Sequence, residues 1–243
     1  MVYGDNPYKM AHGTLMPSIH AIMQSNNLYV YCMNNPIRYV DPNGLSAWLI
    51  HGTWADKRDS KFTDEMQAYI EDLFGENAFA ESWSGGNSKG AREIGAKELF
   101  NAILRHLESN PDDPVRLIGH SHGGNIAILV ANMLAKEGIR VETLITIATP
   151  VRGDYQLDFV PTIGPLGSSA LTNVNQHINI YNRGDGIQTG GGSIWNGGEA
   201  GRTFKNANNV EIPVLRHRRI YNHEFMHNDK ATWESYIRTS LGL

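Results

Sequence analysis

Apolar positions along this chain follow two rhythms. Short, mostly apolar runs predict strands at Ala47-Trp48-Leu49-Ile50, Pro114-Val115-Arg116-Leu117-Ile118, Val141 to Ala148, His177-Ile178-Asn179-Ile180-Tyr181 and Val210-Glu211-Ile212-Pro213-Val214, with Glu81-Ser82-Trp83 as a further short candidate. Between them, apolar residues return every three or four positions. Met66, Ile70, Leu73 and Phe74 mark a helix from Thr63 to Phe74, and Ile94, Leu99, Ile103 and Leu107 mark a longer one from Lys89 to Leu107. Ile126, Leu129, Val130, Met133 and Leu134 mark a third helix from Asn125, and Lys230 to Ile237 reads as a closing helix capped by Asp229. Strands and helices therefore alternate at the spacing of βαβ units, which predicts an α/β fold with a mostly parallel sheet flanked by helices. Val141 to Ala148 has almost no polar alternation, as expected of a strand covered on both faces. The stretches Val151 to Gln176 and Gly184 to Asn209 lack either rhythm and follow strand ends, where an open α/β sheet keeps its site.

Residues 1 to about 45 have a different texture, rich in Asn, Pro, Met and Tyr and without periodic apolar sequence. We therefore divide the chain into a boundary segment, residues 1–45, and one folded domain, residues 46–243, a division that 243 residues accommodate. A net charge of -4 gives no global attraction for nucleic acid, so none is expected as a partner. The single cysteine, Cys32, excludes an internal disulfide framework. No run of 18 apolar residues predicts a membrane span, and no basic segment followed by an apolar run predicts a signal peptide. No glycine-rich loop has phosphate-binding spacing after a strand, so no nucleotide or redox cofactor is expected.

The chemistry concentrates at Gly119-His120-Ser121-His122-Gly123. A predicted strand enters this turn and a predicted helix leaves it, and glycines stand where side chains would crowd the crossing. That context exposes Ser121 on a strained turn as a nucleophile, whereas an idle small-residue turn needs none of it. Acyl transfer also needs oxyanion donors, an acid and a base. The amide following the nucleophile, that of His122, is one expected donor; Thr53 or Trp54 supplies the other, from the loop Ile50-His51-Gly52-Thr53-Trp54 after the first core strand. Asp185, in a glycine-flanked turn beyond Tyr181, is the preferred acid, with Asp154 and Asp158 as competitors. For the base, His223-Glu224-Phe225-Met226-His227 offers two histidines, of which His223 is preferred over His227. The order Ser, Asp, His is that of the α/β hydrolase arrangement. The same five residues also spell HExxH, the zinc metallopeptidase pattern, which needs both histidines on one continuous helix. A catalytically inactive binding module is the third alternative.

With these residues assembled, the chain from about Trp48 to Ile237 resembles the lipase and esterase branch of the α/β-hydrolase family. The resemblance rests on His51-Gly52, the elbow Gly119 to Asn125, Thr146-Ile147-Ala148-Thr149-Pro150, Asp185, and His223-Glu224-Phe225-Met226 ahead of Trp233. It implies a serine hydrolase that cleaves carboxylic esters, a lipase or phospholipase, with Ser121, Asp185 and His223 as its triad, and it allows peripheral membrane contact. Residues 27–45, through Asn34-Asn35-Pro36 to Asp41-Pro42-Asn43-Gly44-Leu45, resemble the end of the core of bacterial RHS/YD-repeat proteins. That second resemblance implies a toxin or effector domain that is secreted or delivered into a target cell, has a cognate immunity protein, and is processed after Leu45, with Asp41 a weak candidate in that cleavage.

Overall fold

The computed structural model describes residues 46–54, 61–152, 173–191, 200–214 and 219–243, and every element lies in the compact unit Leu45–Leu243. The expected boundary segment, Asp41 included, and the competing carboxylates Asp154 and Asp158 lie outside the described residues. Strands β1 (Ser46–Ile50), β2 (Asn77–Glu81), β3 (Val115–His120), β4 (Val141–Ile147), β5 (Val174–Tyr181) and β6 (Asn208–Glu211) form one sheet in the order β2-β1-β3-β4-β5-β6. Every pairing is parallel. Helices α1 (Asp64–Phe74), α2 (Lys89–Ser109), α3 (His122–Lys136), α4 (Gly186–Gly190), α5 (Arg219–Glu224) and α6 (Lys230–Thr232) connect and follow the strands; α6 runs through a π-helical stretch, Trp233–Arg238, into Thr239–Leu241. This is the architecture of an α/β hydrolase.

Alternation along each strand splits the core into two layers. Trp48 and Ile50 of β1, with Val115, Leu117 and Leu144, pack against Leu99 and Ile103 of α2 and the apolar face of α3. Ala47 and Leu49, with Ile118, Ile145, Ile178 and Ile180, pack against Met66 and Ile70 of α1 and against Trp233 and Ile237. Each large side chain buried in this way contributes about 1.5–3 kcal/mol. Covering both faces suits β4, in which Glu142 is the one charged residue.

Several predicted boundaries shift for physical reasons. The strand expected at Glu81-Ser82-Trp83 is instead Asn77–Glu81, because Trp83 leaves the sheet, stacks on His51 at 5.6 Å and donates its indole N–H to the His51 carbonyl at 2.9 Å. Ile94 is 62% exposed, since α2 buries Arg92, Gly95, Ala96, Leu99 and Ile103 instead. β6 starts two residues earlier than expected and ends before Pro213, which has no N–H for a ladder. Thr63 caps α1 by accepting from the Met66 amide, and Asp229 caps α6 by accepting from the Thr232 amide, the latter at 2.9 Å as expected.

The pairing registers align the strand ends. Ile50 pairs with Gly119, His120 with Ile147, and Ile147 with Ile180, so the turns after β1, β3, β4 and β5 share one edge of the sheet.

Candidate active site

Between β3 and α3 stands a single residue, Ser121, with φ 54° and ψ -128°. Only glycine adopts positive φ without strain, so the surrounding packing holds this serine in place. Its amide donates to the Ile147 carbonyl at 2.8 Å, and its own carbonyl accepts from Gly124 at 3.0 Å. The flanking glycines are steric requirements. A Cβ on Gly119 would lie 2.5 Å from the Gly124 Cα, and one on Gly123 would run into the Ile50 and His51 carbonyls. The 15-residue α3 starts immediately after the serine, so its N-terminal amides point at the space beside Oγ.

Asp185 follows β5 and is fully buried. One carboxylate oxygen, Oδ1, accepts the amides of Ile187 and Gln188 at 2.9 Å each, capping α4. The other, Oδ2, accepts the His223 Nδ1–H at 2.7 Å. That bond sets the tautomer: His223 Nε2 carries the lone pair, and the Ser121 hydroxyl donates to it at 2.9 Å. Three side chains from three separate connections thus form one buried relay, the arrangement of a serine hydrolase. A serine whose proton can pass to a held imidazole is a nucleophile at neutral pH.

Of the two histidines in the HExxH stretch, the structure brings only His223 to Ser121. α5 stops at Glu224, so the two histidines do not share one helical face. His227 is fully buried and donates Nε2–H to the Lys61 carbonyl at 3.1 Å. Among the described residues no group of three His, Cys, Asp or Glu side chains is placed to hold a metal ion. The zinc reading therefore lacks the helix its motif requires.

The loop after β1 crosses the start of α3, which puts Thr53 and Trp54 on the same sheet edge as Ser121. The Trp54 amide donates to the Gly85 carbonyl at 3.0 Å, and the residue adopts φ 56° with its side chain 45% exposed. That bond takes up the Trp54 amide, one of the two donors expected of this loop. His51 shapes the loop by donating Nδ1–H to the Gly52 carbonyl at 2.7 Å. Behind the elbow, the Asn125 side chain donates an Nδ2–H to His122 Nδ1 at 3.0 Å.

Arg202 has no sequence signal, since it stands alone in a stretch without periodicity, yet it clamps the acid's turn. Its guanidinium donates to the carbonyls of Asn182 at 3.3 Å, Arg183 at 3.2 Å and Asp185 at 2.9 Å. Asn182 reinforces the turn by accepting the Gly184 amide at 2.7 Å and donating to the Pro213 carbonyl at 2.7 Å. Arg202→Met is expected to lower kcat about tenfold with KM unchanged, because hydrogen bonds to a charged group contribute about 1.5–3 kcal/mol each and their loss loosens Asp185. An ester-hydrolysis assay with equal kcat for the two proteins would remove Arg202 from the machinery.

The family model Lipase (class 3) matches residues 49–185, a span that holds the elbow and Asp185. A mouse monoglyceride lipase is 27% identical over 180 residues, which cover 66% of this chain and 57% of that protein. The chain thus spans little more than half the length of this curated relative. Among solved structures, the RedJ thioesterase of the prodiginine pathway in Streptomyces coelicolor is similar over 83% of this chain and 91% of that one, at 14% identity and a TM-score of 0.46. A thermophilic carboxylesterase, EstE1, cloned from a metagenomic library is similar over 82% and 81%, at 14% identity and a TM-score of 0.45.

Proposed function

The chain belongs to the class 3 lipase family, and from that premise we propose that it hydrolyses carboxylic esters of lipids, with Ser121, His223 and Asp185 as catalytic residues. The observation that carries this reading is the continuous relay from Ser121 Oγ through His223 to Asp185 Oδ2. As Oγ attacks the ester carbonyl, its proton passes to His223 Nε2, and the Asp185 carboxylate stabilises the imidazolium that forms. The carbonyl oxygen gains the negative charge and is met by the amides of His122 and Thr53. His223 then gives its proton to the departing alcohol oxygen, leaving an acyl-Ser121 ester. Water, deprotonated by the same imidazole, attacks that ester and releases the fatty acid and free Ser121.

A lipid substrate is supported by the family, by the mouse relative's monoglyceride lipase activity, and by the apolar sequence Leu157, Phe159, Val160, Ile163 and Leu166 in the segment after β4. No helix among the described residues is long and apolar enough to cross a membrane. Residues 27–45 support a further step on sequence resemblance alone: residues 46–243 are a toxin domain behind an RHS/YD-repeat core, delivered into a target cell and restrained in the producer by an immunity protein.

The test is substrate choice. Purified protein is expected to release fatty acid from a long-chain monoacylglycerol and from phosphatidylglycerol vesicles at least about tenfold faster than it releases acetate from a soluble acetate ester at equal ester concentration, the discrimination that apolar acyl contacts of about 1–3 kcal/mol provide. Turnover confined to the acetate ester would leave a serine esterase and remove the lipid assignment.

A further inference from the structure

The catalytic base is held at its ring by Asp185 and Ser121, but something must also fix the backbone that carries it. His223 is the penultimate residue of α5, a six-residue helix that ends before a continuing turn could satisfy its carbonyl. The donor that meets this carbonyl is the imidazole of His120, whose Nε2 lies 3.0 Å from the oxygen. His120 is the last residue of β3 and the immediate neighbour of Ser121, so one side chain ties the base's main chain to the nucleophile's strand. The His120 ring is fully buried, lies 5.0 Å from the His223 ring, and is stacked on His227 at 3.8 Å with an interplanar angle of 12°. His227 is itself fixed on three sides: it donates Nε2–H to Lys61, its carbonyl accepts the Trp233 indole N–H at 3.0 Å, and the Phe62 ring meets its edge at 5.2 Å.

We propose that His120 is a positioning residue for the reaction: its hydrogen bond sets the main-chain position of His223, and the His227 ring holds His120 flat in the orientation that makes this bond. The inference rests on the triad reading above. An imidazole suits both tasks, because its far nitrogen reaches the carbonyl while its face supports a stack. The loss of about 1 Å in placement of a catalytic group lowers rates by about 100-fold, so an anchor that touches no substrate still governs turnover.

The test compares His120→Gln, His120→Asn and His120→Phe with wild type and Ser121→Ala, reading kcat, KM and the rate of labelling by a fluorophosphonate probe. The glutamine amide reaches as far as Nε2 and is expected to keep kcat and labelling within about threefold of wild type. Asparagine is too short and phenylalanine has no donor, so both are expected to lose about 10- to 100-fold in kcat and in labelling rate, with KM unchanged. The asparagine variant keeps the test decisive if phenylalanine does not fold. Equal labelling of the Gln and Asn variants, in proteins with wild-type melting temperatures, would overturn the positioning role while leaving the triad intact. A wild type that resists the probe altogether would overturn the triad reading and this inference with it.

Discussion

Replacing Ser121 by alanine is expected to abolish fluorophosphonate labelling and to lower ester turnover by about 10⁴- to 10⁶-fold, the range over which removal of a triad nucleophile leaves only the oxyanion donors and substrate binding at work. The structure makes the substitution clean. Both backbone bonds of residue 121, to Ile147 and from Gly124, survive it, and alanine bears the positive φ about as well as serine does. Removing Oγ leaves His223 with its Asp185 bond and without the hydroxyl that donates to its Nε2 lone pair. Labelling and turnover should therefore vanish together while the thermal melt stays close to wild type. Ester turnover by Ser121→Ala at the wild-type rate would mean that the relay is scaffolding and that the chemistry lies elsewhere.

Mild acid is expected to destabilise the fold through two histidines that take no part in the relay. Burial pushes the His227 imidazole from its ordinary 6.5 down to about 3, with the Lys61 carbonyl pulling the other way and nearby His223 adding to the fall. Burial alone takes His177, which lies against Thr146 and Phe204, down to about 4. In the unfolded chain both titrate near 6.5, so below that pH the unfolded state binds protons that the folded state refuses. Their contribution is fully present above 6.5 and is lost as pH falls toward about 4 and 3. At 1.36 kcal/mol per pH unit, each makes about 3 kcal/mol available for loss by pH 4.5. Glu76 acts in the opposite sense. Burial raises its carboxyl to about 7 against the pull of its Arg116 partner, so it binds its proton more readily when folded and returns part of the loss. Urea unfolding at constant m-value should show stability lower by about 2–5 kcal/mol at pH 4.5 than at pH 7.5. A stability that holds level or rises over that interval would show that these imidazoles accept protons in place.

The elements with a strong period were legible in advance, and so was the relay. β1, β3, β4, α1 and α3 each announce themselves by apolar runs or apolar stripes, and the chain order Ser121, Asp185, His223 follows from a single strand-turn-helix motif and its expected partners. β2 was expected at Glu81-Ser82-Trp83 and lies at Asn77–Glu81, because Trp83, the large apolar residue that marked the strand, packs on His51 instead of joining the ladder. α5 escaped because Arg219 to Glu224 offers only the adjacent pair Ile220 and Tyr221 as apolar residues, too few to mark a helical stripe. Arg202 and His120 were illegible in a stronger sense. Each acts on a main-chain carbonyl, at 17 to 20 residues' remove for Arg202 and at 103 for His120, and a carbonyl is supplied by every residue type. Side-chain pairs leave a trace in composition; side-chain bonds to the backbone do not.

The relay also ties chemistry to the completeness of folding. Ser121 and His223 are separated by 102 residues and Asp185 and His223 by 38, and they meet only through an all-parallel sheet whose strands pair across long connections. Closing such loops costs entropy before any contact offsets it, and parallel pairing is slow for that reason. A partly folded chain can form the elbow, which needs only β1, β3, β4 and α3, and still lack a base. The relay is thus a property of the finished domain: on the proposed mechanism, a chain interrupted anywhere between the elbow and α5 has the serine without its base.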